Sequence, residues 1–127
     1  IQGDLGVTAL LQFSDISQLE ILNLSESNLT DRSVIAISNS DKLSGLLALN
    51  LSRNRISDLG AEALANSGHL SQLKKLDLNF NSIGDSGAQA IAESPYLTNI
   101  VSLKLGQNRV GTAGAKALQD SRNLNTS

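Results

Sequence analysis

The side chains that usually carry catalysis are scarce here. His69 is the one histidine and there is no cysteine. A Cys/His relay and a zinc set of the usual kind therefore lack their members, and disulfides are excluded. No Ser/His/Asp constellation is expected either, because the positions one repeat away from His69 hold Lys42, Tyr96 and Asn123, which marks a variable surface site. Gly84-x-x-Gly87 and Gly111-x-x-Gly114 have a spacing that suits a phosphate at a helix start. The same glycines are explained by a chain that must turn into a helix at each of these points. Asn23-Leu24-Ser25, Asn28-Leu29-Thr30, Asn50-Leu51-Ser52 and Asn125-Thr126-Ser127 fit the N-glycosylation pattern, yet a repeat that spells N-L-S produces two of them by itself. No catalytic residue, metal, cofactor or small-molecule substrate is expected.

What remains is recognition chemistry. Phe80 is a large apolar side chain at a position held elsewhere by Glu26, Arg53 and Gln107. Aromatic and Arg side chains are frequent interface anchors, so Phe80 with Arg53 and Arg55 forms a candidate hot spot. The alternative is a surface arrangement in which Arg53 pairs with Glu26 and lies over the Phe80 ring. Asp77, flanked by Lys75 and Lys104, either reads charges on a partner or forms a surface ion pair.

These residues are positioned by a repeat of 27 residues. Leu22, Leu49, Leu76 and Leu103 keep that spacing, as do Leu24, Leu51, Leu78 and Leu105, and Leu19, Leu46, Leu73 and Ile100. The units are 19–45, 46–72, 73–99 and 100–126, and residues 1–18 match the back half of a unit. Each front half reads L-x-x-L-x-L-x-x-N-x-[IVL], as in Leu73, Leu76, Leu78, Asn81 and Ile83. The alternation suits a short strand with one buried face. An Asn just after it can bond backbone groups in a tight bend, so that stacked copies form a ladder. In the first unit Ser27 stands at the Asn position and is expected to weaken that ladder.

The back half reads D-x-G-A-x-A-[LI] at 58–64 and 85–91; the first full unit differs, with Ser33 in place of the Gly and a bulkier Val34 in place of the Ala. Asp4, Asp31, Asp58, Asp85 and Thr112 open these segments and are expected to be N-caps. Ala61, Leu64 and Ala65 recur at helical spacing and give one inward stripe. Leu43, Leu70, Leu97 and Leu124 lead back to the next strand. Parallel strands joined by helical crossovers follow. The expected fold is an α/β solenoid, strands on the concave side and short helices on the convex side, in a single domain spanning 1–127. No coil is stable alone, so each depends on its neighbours.

The L-x-x-L-x-L-x-x-N motif with a helical back half resembles leucine-rich repeats of the ribonuclease-inhibitor type. The D-x-G-A-x-A-L signature is similar to bacterial members, including secreted effectors of intracellular pathogens. The resemblance implies recognition of a partner protein through the concave face and adjoining loops, in some members by covering an enzyme's active site. The residues it points to here are Asn23, Glu26, Asn50, Arg53, Arg55, Lys75, Asp77, Phe80, Lys104, Gln107 and Arg109. It also implies an intracellular, cytosolic setting, or the host cytosol for an effector.

The totals agree with such a module. A net charge of −2 with scattered signs lacks the clustered Lys and Arg of a nucleic-acid binder. No basic run suits an anionic membrane, and no apolar stretch approaches the ~20 residues of a membrane span. With 2% aromatics the core has to be aliphatic. Three readings stand: a protein-binding module, a structural or targeting segment of a larger multidomain protein, and an autonomous enzyme. The chain starts in mid-repeat and stops as a new repeat would begin, so it reads as a piece of a longer array. The strand around Leu103 and Leu105 is then an open edge unless residues 120–127 or a partner cover it.

Overall fold

The computed structural model describes residues 3–13 and 15–121. Along the chain run α1 (Gly3–Phe13), β1 (Ile21–Asn23), α2 (Asp31–Ser38), β2 (Ala48–Asn50), α3 (Asp58–Ala65), β3 (Lys75–Asp77), α4 (Asp85–Ala92), β4 (Ser102–Lys104) and α5 (Thr112–Asp120). The strands form one parallel sheet in chain order β1-β2-β3-β4. Leu22, Leu49, Leu76 and Leu103 are in direct register across it. The 27-residue spacing is thus the period of the solenoid. Single 3₁₀ turns, Asp41–Leu43 and Gly68–Leu70, lead out of α2 and α3.

The core is a stack of aliphatic layers. Leu24, Leu51 and Leu78, Leu46 and Leu73, and Leu43, Leu70 and Leu97 are all buried. From the helices Ala61, Leu64 and Ala65, then Ala88, Ile91 and Ala92, close the back. Alanine at those points lets the helices approach the sheet, as the small-residue stripe predicts. In the last described coil Leu105 and Leu118 are only partly buried, because no further coil among the described residues lies against them. The expectation that residues 120–127 cover the β4 edge falls on 122–127, outside the described residues, and so does the role given to Leu124.

Three side-chain ladders knit the coils. Asn54, Asn81 and Asn108 form the expected one. The Asn81 amide donates to the carbonyls of Leu51 (3.0 Å) and Leu78 (3.1 Å) while its oxygen accepts from the N–H of Ile56 (3.0 Å). Asn54 and Asn108 repeat the pattern. Ser27 is too short to cross to another coil, and among the described residues its hydroxyl bonds the nearby Ser25 carbonyl.

The aspartates correct the expectation that they cap their own helices. The N-caps of α2 to α5 are Thr30, Ser57, Gly84 and Gly111. Asp31, Asp58 and Asp85 are the first helical residues, and their carboxylates reach forward to the next coil. Asp58 accepts from the N–H groups of Gly84 (2.7 Å) and Gly87 (2.9 Å), and Asp85 from those of Gly111 and Gly114. Asp31 holds the N–H of Ser57 and of Gly60 in the same way. Each helix start is therefore neutralised by its predecessor, which satisfies N–H groups that a helix leaves open.

The third ladder runs through serines one repeat apart. The hydroxyls of Ser67, Ser94 and Ser121 donate to the carbonyls of Ser38, Ala65 and Ala92 near the end of the preceding helix.

Candidate functional site

The outer face of the sheet and the loop beyond it carry five columns of side chains, one residue per coil. On the strands they are Ile21, Ala48, Lys75 and Ser102, then Asn23, Asn50, Asp77 and Lys104. The column of Ser25, Ser52, Asn79 and Gly106 follows, then Glu26, Arg53, Phe80 and Gln107, and last Asn28, Arg55, Ser82 and Arg109. Adjacent strands lie about 4.8 Å apart, so columns are stacked within reach of one another.

The backbone ladder continues past the strands and fixes the loop. The N–H groups of Glu26, Arg53 and Phe80 donate to the carbonyls of Ser52, Asn79 and Gly106 at 2.9 Å each. At that same column the chain turns left-handed: φ is 53° at Glu26, 59° at Arg53, 59° at Phe80 and 55° at Gln107. None of these residues is glycine or asparagine, and Phe80 is bulky. A left-handed conformation costs about 1–2 kcal/mol for an ordinary residue. It swings the side chain out to solvent while the next residue, the ladder asparagine, turns back into the coil.

Phe80 is 43% exposed at this turn. The Arg53 guanidinium carbon lies 4.1 Å from the centre of its ring. The stacking half of the surface reading is therefore present, and it pre-organises the very pair that would serve as an anchor. Arg55 and Arg109 are exposed in the neighbouring column.

The polar strand column is partly committed to its own turns. The side-chain oxygens of Asn23, Asn50 and Asp77 accept the N–H groups of Ser25, Ser52 and Asn79 at 2.9–3.0 Å. Among the described residues Asp77 is held by that bond, and not by the ion pair with Lys75 or Lys104 that its neighbours suggested. Each asparagine oxygen already accepts one hydrogen bond, and the amide NH₂ adds donors on the same face.

Asn23, Asn50, Lys75, Asp77 and Lys104 come together along a shallow concave groove. Glu26, Arg53, Phe80, Gln107, Arg55 and Arg109 stand outside it on the loop rim. Ile21, Ala48 and Ser102 also line the groove, and sequence reasoning overlooked all three. The signal was available: counting back two from each outward residue between the leucines lands on Ile21, which is 71% exposed. No group of three or more His, Cys, Asp or Glu among the described residues is placed to hold a metal ion. No described helix is long and apolar enough to cross a membrane. The Gly84 and Gly87 N–H groups, whose spacing would suit a phosphate, are occupied by Asp58.

A family model described as Leucine Rich repeat matches residues 17–38, 45–65, 69–92 and 96–118, one match per coil. The chain belongs to the leucine-rich-repeat family. Among solved leucine-rich-repeat folds it is similar to leiomodin-1 actin-binding site 2, at 16% identity with a TM-score of 0.70, covering 98% of this chain and 78% of that one. Internalin F of Listeria monocytogenes is 17% identical with a TM-score of 0.34, covering 87% of this chain and 48% of that one. No curated protein sequence matches the chain.

Proposed function

We propose that this leucine-rich repeat is a protein-binding module that grips its partner with the concave sheet face and the loop rim. The observation that carries the reading is the Arg53–Phe80 pair, stacked at 4.1 Å on backbone that turns left-handed at every coil. The left-handed turn belongs to the repeat, and at Phe80 it presents a part-exposed aromatic beside an arginine, the side-chain types that anchor interfaces. In its finer form the module inhibits or regulates a partner enzyme by covering its active site, as ribonuclease-inhibitor-like repeats do, and works inside a cell. At 16% identity the likeness to an actin-binding segment extends to the fold and not to actin.

The test begins with capture and identification of a bound protein, followed by affinity measurements on purified components. Phe80→Ala and Arg53→Glu are each expected to weaken binding at least about tenfold, the range of an interface anchor. Lys116→Glu, exposed on α5 at the convex side, should change little. Unchanged affinity for both rim variants would move the site off this face.

A further inference from the structure

Charge is distributed unequally over this chain. The five outer columns hold Arg53, Arg55, Lys75, Lys104 and Arg109 against only Glu26 and Asp77, a net of +3, while the rest of the sequence carries −5. All five cations are exposed. Asp77 has one oxygen committed to Asn79, and the amide groups of Asn23 and Asn50 present donors. The face is therefore rich in donors and positive charge on an otherwise acidic protein. At its β1 end the floor changes character, with exposed Ile21 beside Ala48.

We infer that this face takes an acidic protein segment with an aliphatic side chain, laid across the strands. The inference rests on the protein-binding reading and specifies the partner's chemistry. The aliphatic group sits over Ile21 and Ala48, and carboxylates meet Lys75 and Lys104. From β1 to β3 is about 10 Å, and an extended chain advances about 3.3 Å per residue, so the aliphatic and acidic residues fall about three apart. Complementary potentials of this kind set specificity and orientation more than raw affinity. A nucleic acid is the lesser fit: a phosphate polymer gains nothing from Ile21 and Ala48.

The test uses the full chain as bait for a phage-displayed library of random peptides. Enriched peptides are expected to combine Asp or Glu with an aliphatic residue three or four positions away. Binding of the best peptide should weaken as salt rises. It should fall at least about tenfold in Lys75→Glu/Lys104→Glu, fall again in Ile21→Ser, and hold in Lys116→Glu. Peptides that depend on Ile21 but show no acidic bias would overturn the inference and leave the concave face as the binding site. So would tighter binding of labelled oligouridine than of any peptide, or a library that yields no enrichment. Peptides that depend on Lys116 and on none of the concave residues would overturn the protein-binding reading of this face as well.

Discussion

Asp58 and Gly87, one coil apart, are made for each other: the carboxylate accepts the Gly87 N–H at 2.9 Å and fills the space a side chain there would need. A Cβ at 87 would lie 2.7 Å from Asp58 Oδ1, 2.8 Å from Ile83 Cγ2 and 3.0 Å from Ala61 Cβ. Gly60 and Gly114 meet Asp31 and Asp85 in the same way. The glycine of D-x-G is thus fixed by the aspartate of the coil before it.

Gly87→Ala should therefore destabilise the fold by about 1–3 kcal/mol, the range of overpacking. Helix propensity alone predicts the opposite sign, a gain of up to about 1 kcal/mol. Urea unfolding of the variant separates the two, and a higher midpoint would mean that the carboxylate is not where the close packing lies.

Asp58→Ala leaves the N–H groups of Gly84 and Gly87 without their acceptor. The expected cost is about 1–3 kcal/mol. Hydrogen exchange should show the loss at the start of α4 rather than within α3, where the substitution sits. Loss confined to α3 would make Asp58 an ordinary cap of its own helix.

At Asp4, burial pushes the pKa up, but hydrogen bonds from the Ser33 and Thr30 hydroxyls and from their backbone N–H groups outweigh it, and the net is below the usual 3.8. The folded value lies under the unfolded one, so the ionised form favours folding. That contribution is present above about pH 4 and disappears as pH falls through the folded value. Asp4→Asn should lower stability at neutral pH and flatten the acid decline below pH 4. Thermal unfolding across that range measures both.

Two serine-to-alanine changes should act in opposite directions. Among the described residues Ser38 Oγ is buried with no partner, at the position where the following coils have Ala65 and Ala92. Ser38→Ala is expected to raise stability by about 1 kcal/mol. Ser94 donates to the Ala65 carbonyl at 2.6 Å and accepts from the N–H of Leu97. Ser94→Ala should cost about 1 kcal/mol or more. Denaturant midpoints that move together would contradict the ladder.

Gln107, at φ 55°, tests the left-handed column without touching the Arg53–Phe80 pair. Gln107→Gly removes the steric penalty at some cost in chain entropy, for a net gain of up to about 1 kcal/mol. Gln107→Val should destabilise, since a β-branched residue is poorly suited to positive φ. Melting temperatures in the order Gly, Gln, Val are expected.

The solenoid was legible because each structural role is filled by one residue type at one spacing. Leu49-x-Leu51 and Asn54 recur without insertion, so strand, register and asparagine ladder could be read directly. The aspartates were misread because Asp58 to Gly84 and Gly87 spans a coil boundary, and the local pattern looks like a cap. The serine ladder was visible as Ser67, Ser94 and Ser121, yet serine is common enough that its period drew no attention. The eleven face residues named from the sequence lie along the groove or on its rim. The left-handed turn was hidden because Glu26, Arg53, Phe80 and Gln107 are not types that announce positive φ.

Hydrogen exchange of the chain with and without its captured protein partner tests the binding face most directly. Protection is predicted at 48–55, 75–82 and 102–109, the strands and their following loops, with α3 and α4 unchanged. Protection centred on the helices, with those strand and loop segments exchanging as in the free chain, would contradict it.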